Sequence, residues 1–324
     1  MTEKLIEIKG LKTVFPSSAG QVAAVDDISF FIKPREILGL VGESGCGKTV
    51  TSLSILRLVS HPGKIAAGEI LFDGRDLLKV SEKEMQSVRG NQISMIFQEP
   101  MTSLNPVMTI GDQVAESLIL HKKMAKREAR AQTVDLLKSV SIPDPQLRVR
   151  DYPHQLSGGM RQRVMIAMAI ACNPALVIAD EPTTALDVTI QAQILELLEQ
   201  LRNEYGLSIL LITHALGVIA EAADRVIVMY AGKIVEEAPV KQLFSSPQHP
   251  YTVGLLESIP KIKIDGEKAA RLRTIDGTVP DLAHLPKGCS FYDRCRDHMD
   301  ICTSEFPATI QVGSEHCVAC YKYY

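Results

Sequence analysis

Two runs near the start of the chain alternate between hydrophobic and polar positions, residues 5–15 and residues 22–32. The residues between them, Pro16 to Gly20, are typical of a turn. Alternation with a period of two is the pattern of strands that bury one face. We therefore predict that an antiparallel sheet precedes the rest of the fold.

Later apolar runs are nearly continuous: residues 37–41, 93–97, 175–179 and 208–212. Runs of this length predict buried strands of the kind found in parallel sheets. Residues from about 112 to 148 instead have helical patterns, at 113–120 and 125–137, on either side of a basic stretch. The chain is thus predicted to be an α/β core with an inserted helical lobe.

A glycine-rich loop follows the first of these runs and has the spacing G-x-x-x-x-G-K-T over residues 42–49. Its glycines let successive backbone N–H groups turn inward, and the helix predicted after it adds the partial positive charge of its N-terminus. Lys48 is expected to reach the β- and γ-phosphates of a nucleotide, and the Thr49 hydroxyl to join the shell of a Mg²⁺ ion. The spacing is specific for phosphate binding in this strand, loop and helix context.

Polar side chains follow three of the apolar runs: Gln98, then the pair Asp180 and Glu181, then His214. Asp180 is placed to hold a Mg²⁺-bound water, and Glu181 to orient or deprotonate the water that attacks the γ-phosphate. A further turn, Ser157 to Gly159, precedes a helix rich in Ala and Met and is a second candidate anion site. An S-G-G turn alone is weak evidence, so its meaning depends on the other motifs.

Residues 1 to about 235 resemble the ATP-binding cassette (ABC) family. Six motifs carry the resemblance: residues 42–49 as the first nucleotide motif, Gln98 as the glutamine loop, 156–163 as the signature, 176–181 as the second nucleotide motif, 185–187 as the aspartate loop and His214 as the switch histidine. The resemblance implies that two cassettes pair head to tail around ATP. Ser157, Gly158 and Gly159 of one cassette would then close on the γ-phosphate held by the other.

The resemblance also implies residue roles, with Glu181, His214 and Gln98 as the catalytic group. The expected nucleotide-binding residues are Phe15, Gly42, Ser44, Gly45, Cys46, Gly47, Lys48, Thr49, Val50, Gln98, Ser157, Gly158, Gly159 and Asp180. Thr49, Gln98 and Asp180 are expected to surround Mg²⁺. Phe15 could stack on a purine or simply pack in the core. Ala215 departs from the family, which usually has Asp after its histidine.

Residues 246–252 and 286–296, together with Cys302, resemble the C-terminal extension of the ATP-binding subunits of dipeptide and oligopeptide importers. The expected function is ATP hydrolysis that powers peptide import through transmembrane permease subunits, whose coupling helices would dock around residues 98–114. A peptide-binding protein would take part indirectly. Nickel and oligosaccharide importers share much of this pattern and stay open as alternatives.

The expected fold is a P-loop ATPase core with an N-terminal antiparallel β subdomain, an inserted α-helical subdomain and a small C-terminal metal-binding extension. We place the nucleotide-binding domain at residues 1–235, the helical subdomain at about 99–160 and the extension at 236–324. The working dimer is either a homodimer or a pair with a second, related ATPase subunit, and the resemblance favours the latter.

Composition narrows the class of protein further. The 324 residues are 46% hydrophobic and 23% charged with a net charge of −3, which argues against a strongly basic nucleic-acid binder. No apolar run reaches the ~20 residues that a spanning helix requires, and the N-terminus does not resemble a signal peptide. We therefore expect a cytosolic protein that associates peripherally with the membrane.

Five of the seven cysteines lie in the last 36 residues, at Cys289, Cys295, Cys302, Cys317 and Cys320. In a reducing compartment this clustering suggests a metal before disulfides, and four thiolates suit Zn²⁺ or a [4Fe–4S] cluster. The wide spacing and the resemblance favour iron–sulfur, and the resemblance makes Cys320 the fourth ligand, with Cys317 as the alternative.

Two other classes of protein are alternatives to the importer subunit. A soluble cassette protein that acts on nucleic acid or ribosomes usually has two fused cassettes or a long coiled coil, and this sequence has neither. A soluble, redox-regulated ABC ATPase, whose iron–sulfur centre senses oxidant and gates hydrolysis, is a second alternative.

Overall fold

The computed structural model of the chain describes residues 4–18, 20–184, 186–259 and 274–324. Its strands are β1 (Ile6–Ser17), β2 (Gly20–Ile32), β3 (Ile37–Val41), β4 (Lys64–Phe72), β5 (Arg75–Asp76), β6 (Ile93–Ile96), β7 (Leu176–Asp180), β8 (Ser208–Thr213), β9 (Arg225–Tyr230), β10 (Lys233–Pro239), β11 (Ile310–Gly313) and β12 (His316–Val318). Its α-helices are α1 (Lys48–Ile55), α2 (Glu82–Val88), α3 (Pro100–Ser103), α4 (Ile110–Lys122), α5 (Lys126–Ser139), α6 (Pro145–Arg148), α7 (Gly158–Ile170), α8 (Val188–Tyr205), α9 (Leu216–Ala222), α10 (Val240–Ser245) and α11 (Pro250–Glu257).

The described residues divide into two compact units. Of the described residues, the first unit is formed from 4–5, 32–36, 79–184 and 186–212, and the second from 6–18, 20–31, 37–78, 213–259 and 274–324. Each unit is assembled from separate stretches of the chain, so the domain boundaries expected from the sequence, at residues 99, 160 and 235, stay a prediction.

The first unit contains three parallel strands in the order β6, β7, β8. All five residues of β7 and all six of β8 are buried, as expected for strands covered on both faces. Helices α4, α5 and α7 pack against one another in this unit. The two long helices predicted between residues 112 and 148 are present as α4 and α5.

Helix ends in the first unit follow local capping chemistry. Ser81 and Glu84 form a capping box at α2, with the Glu84 N–H donating to Ser81 Oγ (3.3 Å) and the Ser81 N–H to Glu84 Oε2 (2.8 Å). At α8, Asp187 is the N-cap and Gly206 ends the helix in a left-handed conformation, with φ 67°. These short-range signals fix where the helices begin and end.

The second unit contains a four-stranded sheet in the order β2-β1-β4-β5 and a run of strands in the order β11-β12-β10-β9-β3. Strands β1 and β2 lie side by side as predicted, and β1 pairs antiparallel with β4 on its other edge. Strands β3 and β9 are parallel, whereas β10 and β12 continue the sheet in antiparallel fashion. The glycine-rich loop therefore emerges from a buried parallel strand, β3.

None of the helices in the described parts of the chain is long and apolar enough to cross a bilayer.

Candidate functional site

The loop between β3 and α1 has the backbone conformation that a phosphate cradle requires. Gly42, Gly45 and Gly47 all have positive φ, at 155°, 81° and 105°. A Cβ at Gly47 would lie 2.4 Å from the carbonyl oxygen of Ala24, and one at Gly42 would lie 2.2 Å from the carbonyl oxygen of Met229. The loop can therefore follow this path only with glycine at those two positions.

The side chains of the loop are arranged to receive an anion. Ser44, Gly45 and Thr49 are exposed, while Lys48 is only 5% exposed. The Lys48 ammonium donates to the carbonyl oxygens of Gly42 (2.8 Å) and Glu43 (3.0 Å), so it lies inside the curve of its own loop. An exposed loop surface at Ser44 and Gly45, an exposed threonine and an enclosed ammonium fit a nucleotide phosphate with its Mg²⁺.

Gln98 and Glu181 meet because of the register of two neighbouring strands. In the parallel pair of β6 and β7, Ile96 lies opposite Ala179, and the same offset brings Gln98 beside Glu181. The Gln98 amide Nε2 donates to Glu181 Oε2 at 3.0 Å. Thr184 Oγ1 donates to the same oxygen at 2.8 Å. Two donors thus hold the carboxylate. Thr184, one of them, was not among the site residues predicted from the sequence.

The backbone at Glu181 is itself unusual. This residue has φ 47°, a left-handed conformation that non-glycine residues rarely adopt, and its N–H donates to the Ile212 carbonyl oxygen at 2.8 Å. Such conformations cluster at functional positions, where neighbouring contacts hold them in place. Asp180, one residue earlier at the end of β7, is 1% exposed. The structure therefore places a buried and a half-buried carboxylate in succession at one strand end.

The Ser157 to Gly159 turn lies at the exposed N-terminus of the 13-residue helix α7. Ser157 Oγ accepts the Met160 N–H at 3.3 Å, so this side chain caps the helix. Gly158 and Ser157 are both exposed. The turn keeps its capping role and leaves its surface accessible to an anion.

His214 lies directly after β8 and is exposed. The next residue, Ala215, is the N-cap of α9 and has no side chain able to cap it. Instead, Thr213 Oγ1 accepts the Ala215 N–H at 3.0 Å. The departure from Asp at position 215 is thus accompanied by a hydroxyl contact from the preceding strand.

Phe15 lies near the end of β1 and is half-buried. Its ring covers Gly63 so closely that a Cβ there would be 2.4 Å from Phe15 Cε1. Contact with Gly63 accounts for part of the ring, and its role in binding a purine stays a prediction.

All seven cysteines are free thiols. Burial and the neighbouring Cys302, Cys295 and Cys320 thiols raise the pKa of Cys289 to about 11. Burial and the thiols of Cys320 and Cys302 likewise raise the pKa of Cys295 to about 11. The thiols of Cys302 and Cys320 therefore both act on the pKa of Cys289 and on that of Cys295.

Cys317 is separate from these four. Its pKa is raised by burial and by Glu237. Within the described residues, however, no three His, Cys, Asp or Glu side chains form a group that could hold a metal ion. The metal site predicted for the C-terminal extension thus has no support from the arrangement of these side chains.

Comparison with known proteins agrees with the geometry. Residues 25–184 match the family described as "ABC transporter", and residues 235–302 match "Oligopeptide/dipeptide transporter, C-terminal region". The oligopeptide transport ATP-binding protein AppD of Bacillus subtilis is 54% identical, covering 98% of this chain and 97% of its own length. The dipeptide transport ATP-binding protein DppD of the same organism is 51% identical, covering 98% and 95%.

Solved structures give the same assignment. A dimeric ATP-binding cassette bound to ADP and phosphate in a post-hydrolysis state has a TM-score of 0.66 and 28% identity, covering 72% of this chain and 98% of its own. The chain therefore belongs to the ABC transporter family of ATPases. Within that family, residues 235–302 group it with the oligopeptide and dipeptide transporters. The family predicted from the six motifs is confirmed.

Proposed function

We propose that this chain hydrolyses ATP to power the import of dipeptides or oligopeptides through separate membrane subunits. The observation that carries the chemistry is the Glu181 carboxylate, oriented by Gln98 at 3.0 Å and Thr184 at 2.8 Å directly after a buried aspartate. The C-terminal match over residues 235–302 favours peptides over the nickel or oligosaccharide alternatives.

In the proposed reaction, Lys48 and the loop N–H groups bind the phosphates of ATP. Thr49, Asp180 and Gln98 are the residues that would hold Mg²⁺, and the bound ion would supply positive charge to neutralise the transferred phosphoryl group. Glu181 accepts a proton from water as the water oxygen bonds to the γ-phosphorus and the bond to the bridging oxygen breaks. His214 contacts the γ-phosphate.

We propose that ATP binding joins two cassettes head to tail, with Ser157, Gly158 and Gly159 of each closing on the nucleotide of the other. Support comes from the exposed helix N-terminus behind this turn and from the dimeric state of a similar cassette of known structure. The partner in the working complex is a second, related ATPase subunit. The pair lies on the cytoplasmic face of the membrane, against the permease subunits.

The test is peptide uptake by vesicles that contain the assembled transporter and ATP. Glu181→Gln should reduce phosphate release by about a hundred-fold or more while ATP still binds, because only the general base is lost. Glu196→Gln, an exposed residue of α8, is the matched control and should retain full activity. Equal hydrolysis by Glu181→Gln and wild type would contradict the assignment of the base, and uptake of nickel or an oligosaccharide in place of peptide would contradict the substrate.

We also propose that Cys289, Cys295, Cys302 and Cys320 hold a [4Fe–4S] cluster, with Cys317 outside it. Support comes from the sequence, in which five of the seven cysteines lie in the last 36 residues, and from the backbone contact between two of the four, the Cys289 N–H donating to the Cys302 carbonyl oxygen at 2.8 Å. Cys317 instead has Glu237 and Arg225 as its charged neighbours. Soft thiolates are the ligands that iron–sulfur clusters use, and the cluster would supply the cationic charge that lets buried thiols ionise.

Elemental analysis of anaerobically purified protein tests this second proposal. We expect about four irons per chain, lost in Cys295→Ser and retained in Cys317→Ser. One zinc per chain, or no metal, would overturn the cluster and leave the ATPase proposal intact.

A further inference from the structure

The C-terminal extension, residues 236–324, contacts the phosphate loop at Glu43. Arg294 donates from NH1 to Glu43 Oε2 at 2.7 Å and from NH2 to Glu43 Oε1 at 3.0 Å. The two residues are 251 positions apart in the sequence, and the Arg294 side chain is only 6% exposed. A bidentate, largely buried ion pair of this kind fixes the orientation of the Glu43 carboxylate as well as its distance from Arg294.

A second contact from the same part of the chain holds the Glu43 backbone. The Glu43 N–H donates to the hydroxyl oxygen of Tyr251, in α11, at 2.8 Å. The Tyr251 ring packs against Tyr230, with ring centroids 4.6 Å apart, and against Phe291, at 5.4 Å. The hydroxyl therefore sits on a packed aromatic cluster that restricts its movement.

Arg294 is itself held in position by groups other than Glu43. Its NH1 also donates to the Tyr230 hydroxyl at 3.2 Å, and its Nε donates to the Asp276 carbonyl oxygen at 3.0 Å. Every part of the guanidinium thus has a partner. Because these other hydrogen bonds already orient the guanidinium, little side-chain entropy is lost when Arg294 binds Glu43.

Glu43 connects these contacts to the residue that binds phosphate. Its carbonyl oxygen accepts from Lys48 at 3.0 Å, while its N–H and carboxylate are occupied by Tyr251 and Arg294. When Lys48 turns toward a phosphate, the carbonyl contact is given up, but the other two contacts keep the Glu43 peptide in place. The curvature of the loop then does not depend on Lys48.

We propose that Arg294 and Tyr251 are positioning residues for ATP binding, and that through them the C-terminal extension sets the affinity of the phosphate loop. This inference rests on the proposed function, in which the loop binds the phosphates of ATP. Neither residue touches the nucleotide; both act through Glu43.

The experiment measures equilibrium binding of a fluorescent ATP analogue, and KM and kcat for ATP, with the full-length chain. We expect Arg294→Gln to weaken ATP binding by about ten- to a hundred-fold, because a displaced loop points its N–H groups away from the phosphates. The loss should appear in KM, with kcat at saturating ATP within about two-fold of wild type, because Glu181 is untouched. Arg294→Lys should restore binding only in part, since an ammonium lacks the fork.

Further variants separate positioning from folding. Glu43→Gln should weaken binding as Arg294→Gln does, and the double variant should be no worse than either single one. Tyr251→Phe keeps the packed ring and removes only the hydroxyl acceptor, so it should weaken binding while the unfolding midpoint changes little. Arg296→Gln removes a neighbouring guanidinium that is 64% exposed and should bind ATP as wild type does.

The outcomes distinguish the two proposals. Wild-type chain that fails to bind the ATP analogue overturns the proposed function. Wild-type binding with an unchanged affinity in Arg294→Gln and Tyr251→Phe overturns the positioning role alone. Additive losses in the double variant would also overturn it, because they would mean that Arg294 and Glu43 act separately.

Discussion

Single residues in unusual backbone conformations carry much of the chemistry. The loop glycines at 42, 45 and 47 and the carboxylate-bearing Glu181 all have positive φ. For the glycines the conformation costs little, whereas for Glu181 it costs about 1–3 kcal/mol, offset by its hydrogen bonds. The backbone strain is located at the residue proposed to handle the proton.

Gly47→Ala should damage the phosphate loop far more than Gly45→Ala. Both positions have positive φ, but a Cβ at Gly47 meets the Ala24 carbonyl oxygen at 2.4 Å, and one at Gly45 meets no atom within 4 Å. The additional clash should lower the free energy of unfolding by about 1–3 kcal/mol more than the Gly45 substitution does. Denaturant unfolding of both variants measures the difference, and equal losses would contradict the described path of the loop.

The residues of the candidate site differ in how far the sequence could predict them. Lys48 and Thr49 follow from local spacing, and Gln98 and Glu181 from being placed at the ends of apolar runs. Arg294 and Tyr251 could not be predicted, because their contacts with Glu43 depend on the packing of a segment more than 200 positions away. Local chemistry is visible in a sequence, whereas partners at long range are set by tertiary structure.

Among the elements, α11 is capped at its N-terminus by a buried histidine, His249, whose ring must stay neutral. His249 Nδ1 accepts the Tyr251 N–H at 3.1 Å, and the His249 N–H donates to Glu236 Oε2 at 2.9 Å. Complete burial lowers the pKa of His249 to about 3. Helix α11 delivers Tyr251 to the phosphate loop, so the protonation state of its cap matters for the position of that hydroxyl.

Stability should fall as the pH drops below about 6.5, the usual pKa of histidine. The unfolded chain takes up a proton on His249 below that pH, whereas the folded chain does not until about pH 3. Between about pH 6.5 and pH 3, protonation of His249 in the unfolded chain should lower the free energy of unfolding by about 1.4 kcal/mol for each pH unit. The midpoint of urea unfolding at pH 7.5 and pH 5.5 is the measurement.

His249→Asn keeps a side-chain acceptor for the helix cap and cannot titrate. Between pH 7.5 and pH 5.5 it should therefore lose about 1.4 kcal/mol less stability than wild type, because only the pH unit below about 6.5 contributes. His284→Asn is the matched control, because the His284 side chain is 73% exposed. If wild type and His249→Asn lose stability equally on acidification, His249 is not held neutral in the folded chain.

Whether a segment is a helix or a strand could be predicted where its hydrophobic periodicity was clear. Which strands pair with one another could not be predicted. The apolar runs became β3, β6, β7 and β8, and the helical patterns became α4 and α5. The pairing of β1 with β4, and of β10 with β12, joins segments whose alternation carries no information about their neighbours. The contact of Thr213 Oγ1 with the Ala215 N–H likewise could not be predicted from the sequence.

The molecule as a whole has to transmit nucleotide chemistry to membrane subunits, and the loop before α4 has the properties of a docking surface. Val107 is 79% exposed and Met101 is 67% exposed. Met101 lies in α3, and Val107 lies in the loop between α3 and α4. The buried Gln113 side chain holds that loop, because it accepts the Asn105 N–H (2.8 Å) and donates to the Met108 carbonyl oxygen (3.1 Å). Apolar side chains displayed on a fixed loop are typical of a protein interface.

Val107→Asp should therefore uncouple transport from hydrolysis. We expect assembly with the permease subunits and peptide uptake to fall by about ten-fold or more, because a carboxylate would be buried at the interface without a partner. ATP hydrolysis by the isolated chain should stay within about two-fold of wild type, since Val107 contributes nothing to the phosphate loop or to Glu181.

Leu120→Asp, on the exposed side of α4 at 56% exposure, is the matched control for adding a charge to an apolar surface position. Co-purification with the permease subunits and uptake in vesicles measure both effects. Uptake by Val107→Asp equal to that of Leu120→Asp and wild type would mean that the membrane subunits dock elsewhere.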